Sequence, residues 1–284
     1  MFNFDIIANV FIVIPISIIL FIRDLGNVFF NKEKSVDPKI ILITGASSGI
    51  GASIAREYAK PGVILGLLAR SEDKLSKVAE QCIEKGAKCE ILKIDISNIE
   101  SLNKALEDFD DKYPIDLLFA NAGQLAATRD NFGKVKWEDA YKPYIDKENV
   151  VKSQLQLQLR DGLAPPTTAF YNSMKSALNT FARDLFYIAK PYNVHISLIV
   201  PGLIETNMTA HPDQPFPHTP NRYESADNLA KIIKYQLSYN VFHIGWPYFQ
   251  NIITFTIATF PIRIQLLISN MMGNHMTKMV KILY

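Results

Sequence analysis

Thr44-Gly45-Ala46-Ser47-Ser48-Gly49-Ile50-Gly51 is a glycine-rich stretch set directly behind a short apolar run. Glycines in such a turn let backbone approach a phosphate closely, and the N-terminus of a following helix favours the negative charge. Far downstream, Tyr171 and Lys175 stand four residues apart. On a helix that spacing puts both on one face, one turn apart. A free phenol titrates at about 10, too high to ionise readily at neutral pH. A nearby ammonium favours the phenolate and lowers that value, so the pair has the makings of a general acid/base.

These two pieces of chemistry need a frame to bring them together. Ile40–Thr44 (IILIT) has the apolar run of a strand buried on both faces, and the glycine turn leads from it into a helix ending near Lys60. Gly62–Leu68 predicts a second strand and Ser71–Lys85 an amphipathic helix, with Ser71 as N-cap, Glu72 and Asp73 in the first turn and Gly86 past the end. Cys89–Ile94 predicts a third strand, Asn98–Lys112 a helix and Ile115–Ala120 a fourth strand. Further on, a helix runs from about Thr168 to Ala189 and a strand over His195–Val200. Strands alternating with helices predict a doubly wound α/β fold of Rossmann type, with a parallel sheet covered on both faces.

In this context the spacing TGxxxGxG resembles the short-chain dehydrogenase/reductase family, and the resemblance extends through most of residues 39–245. Asn121-Ala122-Gly123 looks like the family's NAG motif, which steadies the central sheet beside the cofactor. Asp95 matches an aspartate that contacts adenine in relatives. Tyr171-Asn172-Ser173-Met174-Lys175 matches YxxxK, and Pro201-Gly202 matches a turn near the nicotinamide, with Thr206 following where relatives often bind cofactor. The resemblance implies that Thr44, Gly45, Ser47, Ser48, Gly49, Ile50 and Gly51 line the cofactor. It makes Tyr171 the proton donor to a reduced carbonyl, and Lys175 the residue that both tunes Tyr171 and bonds the nicotinamide ribose. An acid at the end of the second strand would repel a 2′-phosphate, whereas an arginine would welcome it. The chain has Arg70 there and no acid before Glu72, which favours NADP(H) over NAD(H).

One part of the family pattern is missing. Relatives place a serine on the strand before the YxxxK helix, where its hydroxyl polarises the substrate carbonyl. Here Gln158 occupies the matching position, inside the alternation Gln154-Leu155-Gln156-Leu157-Gln158-Leu159, and the nearest upstream serine is Ser153. Asn149 lies close to where relatives carry a catalytic asparagine, but the stretch from it to Tyr171 is shorter than theirs by most of a helix and part of a strand. Three accounts stay open. The chain is a shortened form of an active reductase, a divergent enzyme with Gln158 or Ser153 in the serine's role, or a catalytically impaired protein that binds nucleotide or lipid without turnover.

The ends are apolar. Ile6–Ile22 is an uncharged run of 17 residues, at the short end for a membrane-spanning helix. Arg23, Lys32, Lys34 and Lys39 follow it and predict a cytoplasmic-facing domain by the positive-inside tendency. Tyr248–Met272 is also apolar but is broken by Pro261 and Arg263, leaving two readings: helices lining an apolar pocket, or a segment lying on the bilayer. The expected organisation is an anchor and linker over 1–35, one Rossmann-type domain over 36–247 and the apolar segment over 248–284.

A net charge of +2, without a basic stripe bearing aromatics, argues against a nucleic-acid partner. Cys82 and Cys89 match neither a metal-site spacing nor a CxxC pair, and the histidines are scattered, so no metal is expected. By resemblance and by the apolar ends, the chain is expected to be a membrane-bound oxidoreductase of lipid metabolism, at the endoplasmic reticulum. It would reduce a carbonyl on a hydrophobic small molecule, or oxidise the alcohol in reverse, and the resemblance implies a homodimer, since relatives are mostly dimers or tetramers.

Overall fold

The computed structural model describes residues 37–123, 169–206 and 224–247. Its first sheet contains β1 (Ile40–Thr44), β2 (Ile64–Ala69), β3 (Lys88–Lys93) and β4 (Leu117–Phe119), in the order β3-β2-β1-β4. Helices α1 (Gly49–Tyr58), α2 (Glu72–Glu84) and α3 (Ile99–Lys112) connect them. Then come α4 (Ala169–Ala189), β5 (Leu198–Pro201), β6 (Ile204–Glu205), β7 (Glu224–Ser225), α5 (Ala226–Leu237) and β8 (His243–Trp246). β5 pairs with β8, and β6 with β7; every strand pair among the described residues is parallel.

The period of two along each strand divides the core between two faces. Ile41 and Ile43 of β1, with Leu65 and Leu67 of β2, join a cluster with Ile54 and Ala55 of α1, Leu75 and Val78 of α2 and Ile233 of α5. Leu42 points the other way. There Gly66 leaves room for Phe109 of α3: a Cβ at Gly66 would stand 2.5 Å from Leu42 Cδ1 and 2.8 Å from the Phe109 ring. On that same second face, Leu178 and Ala182 of α4 pack on Leu198 and Val200. Helices therefore cover both faces, as expected of a doubly wound sheet. α1 and α5 are further tied by Arg56–Asp227 at 3.0 Å and by Lys234, whose Nζ donates to the Glu57 carbonyl at 2.8 Å.

Several boundaries differ from the sequence expectation. β2 begins at Ile64, because Gly62 sits at φ +83 in a turn. β4 is cut to three residues. Ahead of it, the Asp116 carboxylate accepts from the N–H groups of Lys39 (2.8 Å) and Ile40 (2.9 Å), holding the entry to β1. The strand expected over His195–Val200 starts only at Leu198. Ser71 is the N-cap of α2 but makes no side-chain capping bond, whereas Asn98 caps α3 by accepting from Ser101 N–H at 3.1 Å. Among the described residues β3 is an edge strand, with Lys88, Ile91 and Lys93 exposed, and it spans Lys88–Lys93 where Cys89–Ile94 was expected. No helix among the described residues is long and apolar enough to cross a membrane. The expected anchor over 6–22 and the apolar segment over 248–272 lie outside the described residues.

Candidate active site

The glycine turn is built around Thr44, the last residue of β1. Its hydroxyl donates to the Phe119 carbonyl (3.2 Å) and accepts from the N–H groups of Asn121 (3.0 Å) and Ala122 (3.0 Å). Asn121 returns the contact, its Nδ2 donating to the carbonyls of Thr44 (3.0 Å) and Gly45 (3.3 Å). Across the other flank, the N–H groups of Gly45 and Ala46 donate to the Leu68 carbonyl at 2.7 and 3.2 Å. The turn is thus pinned to β2 on one side and to the strand end of β4 on the other.

Glycine is required here by geometry. Gly45 sits at φ +69, and a Cβ on it would stand 2.9 Å from Ala122 Cα. A Cβ on Gly51 would lie only 2.3 Å from the Gly45 carbonyl oxygen, well inside contact distance. Gly49, at φ +55, faces the Thr206 side chain, which a Cβ would meet at 3.2 Å. The turn leads into α1, whose N-cap Ser48 makes no side-chain capping bond and whose first turn carries no acid. Its N-terminal N–H groups and the positive end of the helix dipole are therefore not claimed by a side chain of the cap. Ile50 packs its side chain against the core, so what it offers a ligand is backbone. Together these features fit a pyrophosphate: a close backbone approach and a positive helix end. Beside the turn a cleft of about 560 Å³ opens, lined in part by Ser47, Ser48, Gly49, Lys74 and Thr206.

The remaining expected cofactor residues gather at the same edge of the sheet, past the C-terminal ends of the parallel strands, where open α/β sheets bind ligands. Arg70 follows β2 and is exposed, Asp95 follows β3, and Asn121, Ala122 and Gly123 follow β4. Asp95 Oδ1 accepts from the N–H (2.9 Å) and hydroxyl (2.8 Å) of Ser97, which fixes its carboxylate. Pro201 ends β5, and the Gly202 N–H donates to the Trp246 carbonyl at 2.7 Å.

Tyr171 and Lys175 both lie on α4, at the spacing that puts them on one face, but the Tyr171 side chain is outside the described residues. Lys175 is 4% exposed, and burial pushes its ammonium down to about 8. Burying a lysine costs stability, and groups shifted in this way cluster at functional sites. One turn further on, Asn179 is also buried, and its Oδ1 accepts no hydrogen bond among the described residues. The sequence reading missed Asn179. The available signal was a polar side chain four residues beyond Lys175, on the same helix face. Asn149, Ser153 and Gln158 lie outside the described residues. Among the described residues no cluster of histidine, cysteine or acidic side chains could hold a metal ion.

The profile of the short chain dehydrogenase family matches residues 39–145. The 11-beta-hydroxysteroid dehydrogenase-like 3 protein of Arabidopsis thaliana is 31% identical over 224 residues, covering 70% of this chain and 70% of its own length. The 11-beta-hydroxysteroid dehydrogenase A of Sesamum indicum is 30% identical over 206 residues, covering 66% of this chain but only 58% of that protein. Among solved structures, a short-chain dehydrogenase from Sphingobium yanoikuyae in complex with NADPH superposes with a TM-score of 0.59, at 20% identity, over 74% of this chain and 88% of that one. That likeness speaks for the fold alone. An alcohol dehydrogenase from the archaeon Thermococcus sibiricus, complexed with 5-hydroxy-NADP, has a TM-score of 0.55 at 25% identity, over 73% of this chain and 94% of its own.

Proposed function

This chain belongs to the short-chain dehydrogenase family of oxidoreductases, and we propose that within it the chain reduces a carbonyl on a hydrophobic, lipid-like molecule with NADPH. The observation that carries the reading is the pairing of a glycine turn with no room for a Cβ on Gly45 or Gly51 with a lysine buried on the helix that also bears Tyr171. A bound nicotinamide would supply the hydride. Gly45, Gly49 and Gly51 would admit the pyrophosphate to the N-terminus of α1. Arg70 would pair with the 2′-phosphate, and Asp95 would lie toward the adenine. Tyr171 would hand a proton to the alkoxide oxygen left on the substrate, and the Lys175 ammonium would stabilise the phenolate that remains.

A lipid-like substrate is supported by the apolar runs at both ends of the chain and by two relatives named for hydroxysteroids. We place residues 6–22 in a membrane as an anchor, at the endoplasmic reticulum, with the domain facing the cytoplasm. The exposed apolar side chains of α4, Phe181, Tyr187 and Ile188, support a homodimer that packs this helix at its interface. A second reading, binding without turnover, is favoured by a specific observation: the position matching the family's serine is Gln158.

The test is cofactor-dependent turnover of lipid ketones and of small soluble ketones by the wild type and the Arg70→Glu variant. The proposal expects NADPH oxidation with lipid ketones, and a variant that loses its preference for NADPH by about 10-fold or more, the worth of one charge-assisted contact. Nucleotide binding with no carbonyl-dependent oxidation would establish the second reading instead. Better turnover of small soluble ketones would remove the lipid assignment.

A further inference from the structure

Four polar or charged side chains are buried among the described residues: Ser53, Lys175, Asn179 and Gln236. Two of them, Lys175 and Asn179, stand one turn apart on α4, which runs unbroken through both. Asparagine is a poor choice for a helix interior, because its amide competes for backbone groups. Burial adds a second cost. Asn179 is 9% exposed, and its Oδ1 accepts no hydrogen bond among the described residues. Buried amide oxygens are almost always paired, so this one calls for a donor.

The side chains packed on this part of α4 offer none. Leu178 and Ala182 on the helix, Leu198 and Val200 of β5 and Phe242 ahead of β8 are all apolar. Arg183 and Asp184, one turn further along, are exposed. The ammonium of a lysine, by contrast, carries three N–H groups and no acceptor. Side chains on a helix lean toward its N-terminus, so the Asn179 amide reaches back over the turn that carries Lys175. The need is mutual. Lys175 is 4% exposed, burial is what shifts its titration, and no carboxylate among the described residues offsets that burial.

We propose that Asn179 is a positioning residue for Lys175: its Oδ1 accepts from the ammonium, directly or through one bound water, and holds the charge where Tyr171 needs it. This rests on the reading of Tyr171 and Lys175 as the acid/base pair. A dipole aimed at a buried cation favours its charged form. An amide does so without a charge of its own, so its support does not change across the pH range in which the lysine titrates.

The test follows the carbon-13 resonance of Lys175 Cε in the full chain, assigned by its absence from Lys175→Met. It is titrated in the wild type, Asn179→Leu and Asn179→Asp. Leucine has a similar size and no acceptor, whereas aspartate keeps the oxygen and adds a charge. The midpoint is expected to fall by about half a pH unit or more in Asn179→Leu and to rise by at least as much in Asn179→Asp. The alkaline limb of kcat/KM for carbonyl reduction should move in the same directions. A role in packing alone would change stability and leave the lysine midpoint in place. An Asn179→Leu midpoint within about 0.2 pH unit of the wild type overturns the proposal. So does an Asn179→Asp midpoint that fails to rise, which decides alone should the leucine variant not fold. Shifted midpoints in a protein that oxidises no NADPH with any carbonyl would support the contact and overturn the proposed reaction instead.

Discussion

Lys175 is the residue at which stability and chemistry pull in opposite directions. Its ammonium titrates at about 8 in the folded chain, against about 10.5 when solvated, because burial disfavours the charged form. The unfolded chain therefore binds more protons between these values, and folding stability gains with rising pH across the window from about 8 to 10.5. Below about 8 the full cost of burying the charge is present, about 3 kcal/mol from the size of the shift. Lys175→Met removes that cost. Urea unfolding of the two proteins should show the variant more stable at pH 7, with the gap closing as the pH rises through the window. Carbonyl reduction by the variant should fall by at least about 100-fold, since the phenol of Tyr171 loses its cation. A gap that stays constant with pH would mean that folding does not shift the titration of Lys175. Gly51→Ala tests the cradle at the same scale: its Cβ would lie 2.3 Å from the Gly45 carbonyl oxygen. Overpacking of this kind costs about 1–3 kcal/mol, and nucleotide binding should weaken with it. An alanine variant of unchanged stability and affinity would contradict the close packing of the turn.

At the scale of elements, Thr44 couples β1 to the end of β4 and the segment after it through three hydrogen bonds, and Asn121 answers with two more. Thr44→Val keeps the shape of the side chain and removes all three of its bonds. The Asn121 N–H still donates to the Phe119 carbonyl at 2.9 Å, so the lasting loss falls on the Ala122 N–H. A cost of about 1–3 kcal/mol is expected in chemical denaturation; less than about 0.5 kcal/mol would mean that the tie is not made. The strands and helices of the first half were legible because their apolar runs and turn glycines are local signals, as in Ile40–Thr44 and Gly86. The trimmed ends were not, since they depend on distant partners: β4 starts late where Asp116 reaches back to Lys39 and Ile40. β6 and β7 are two residues each and carry no periodicity to read. The site was legible as motifs. The burial of Asn179, and the interlock of Thr206 with Gly49, arise only when elements far apart in sequence pack together.

For the whole molecule, the account is of a parallel α/β domain whose strand ends converge on a nucleotide site, carried on a chain with apolar runs outside the described residues. If residues 6–22 anchor it, the full chain should sediment with membranes and resist extraction at high salt, and a chain lacking residues 1–35 should be released. Equal sedimentation of both would move the attachment to the C-terminal segment. The central claim, however, is that this fold holds NADPH in the cradle of Thr44–Gly51. Its most direct test is a titration of NADPH and of NADH into the full chain, followed by tryptophan fluorescence and the thermal midpoint. The account predicts saturable stabilisation that is stronger with NADPH, and its loss in Gly51→Ala. Binding of neither nucleotide by a cooperatively folded protein would contradict it.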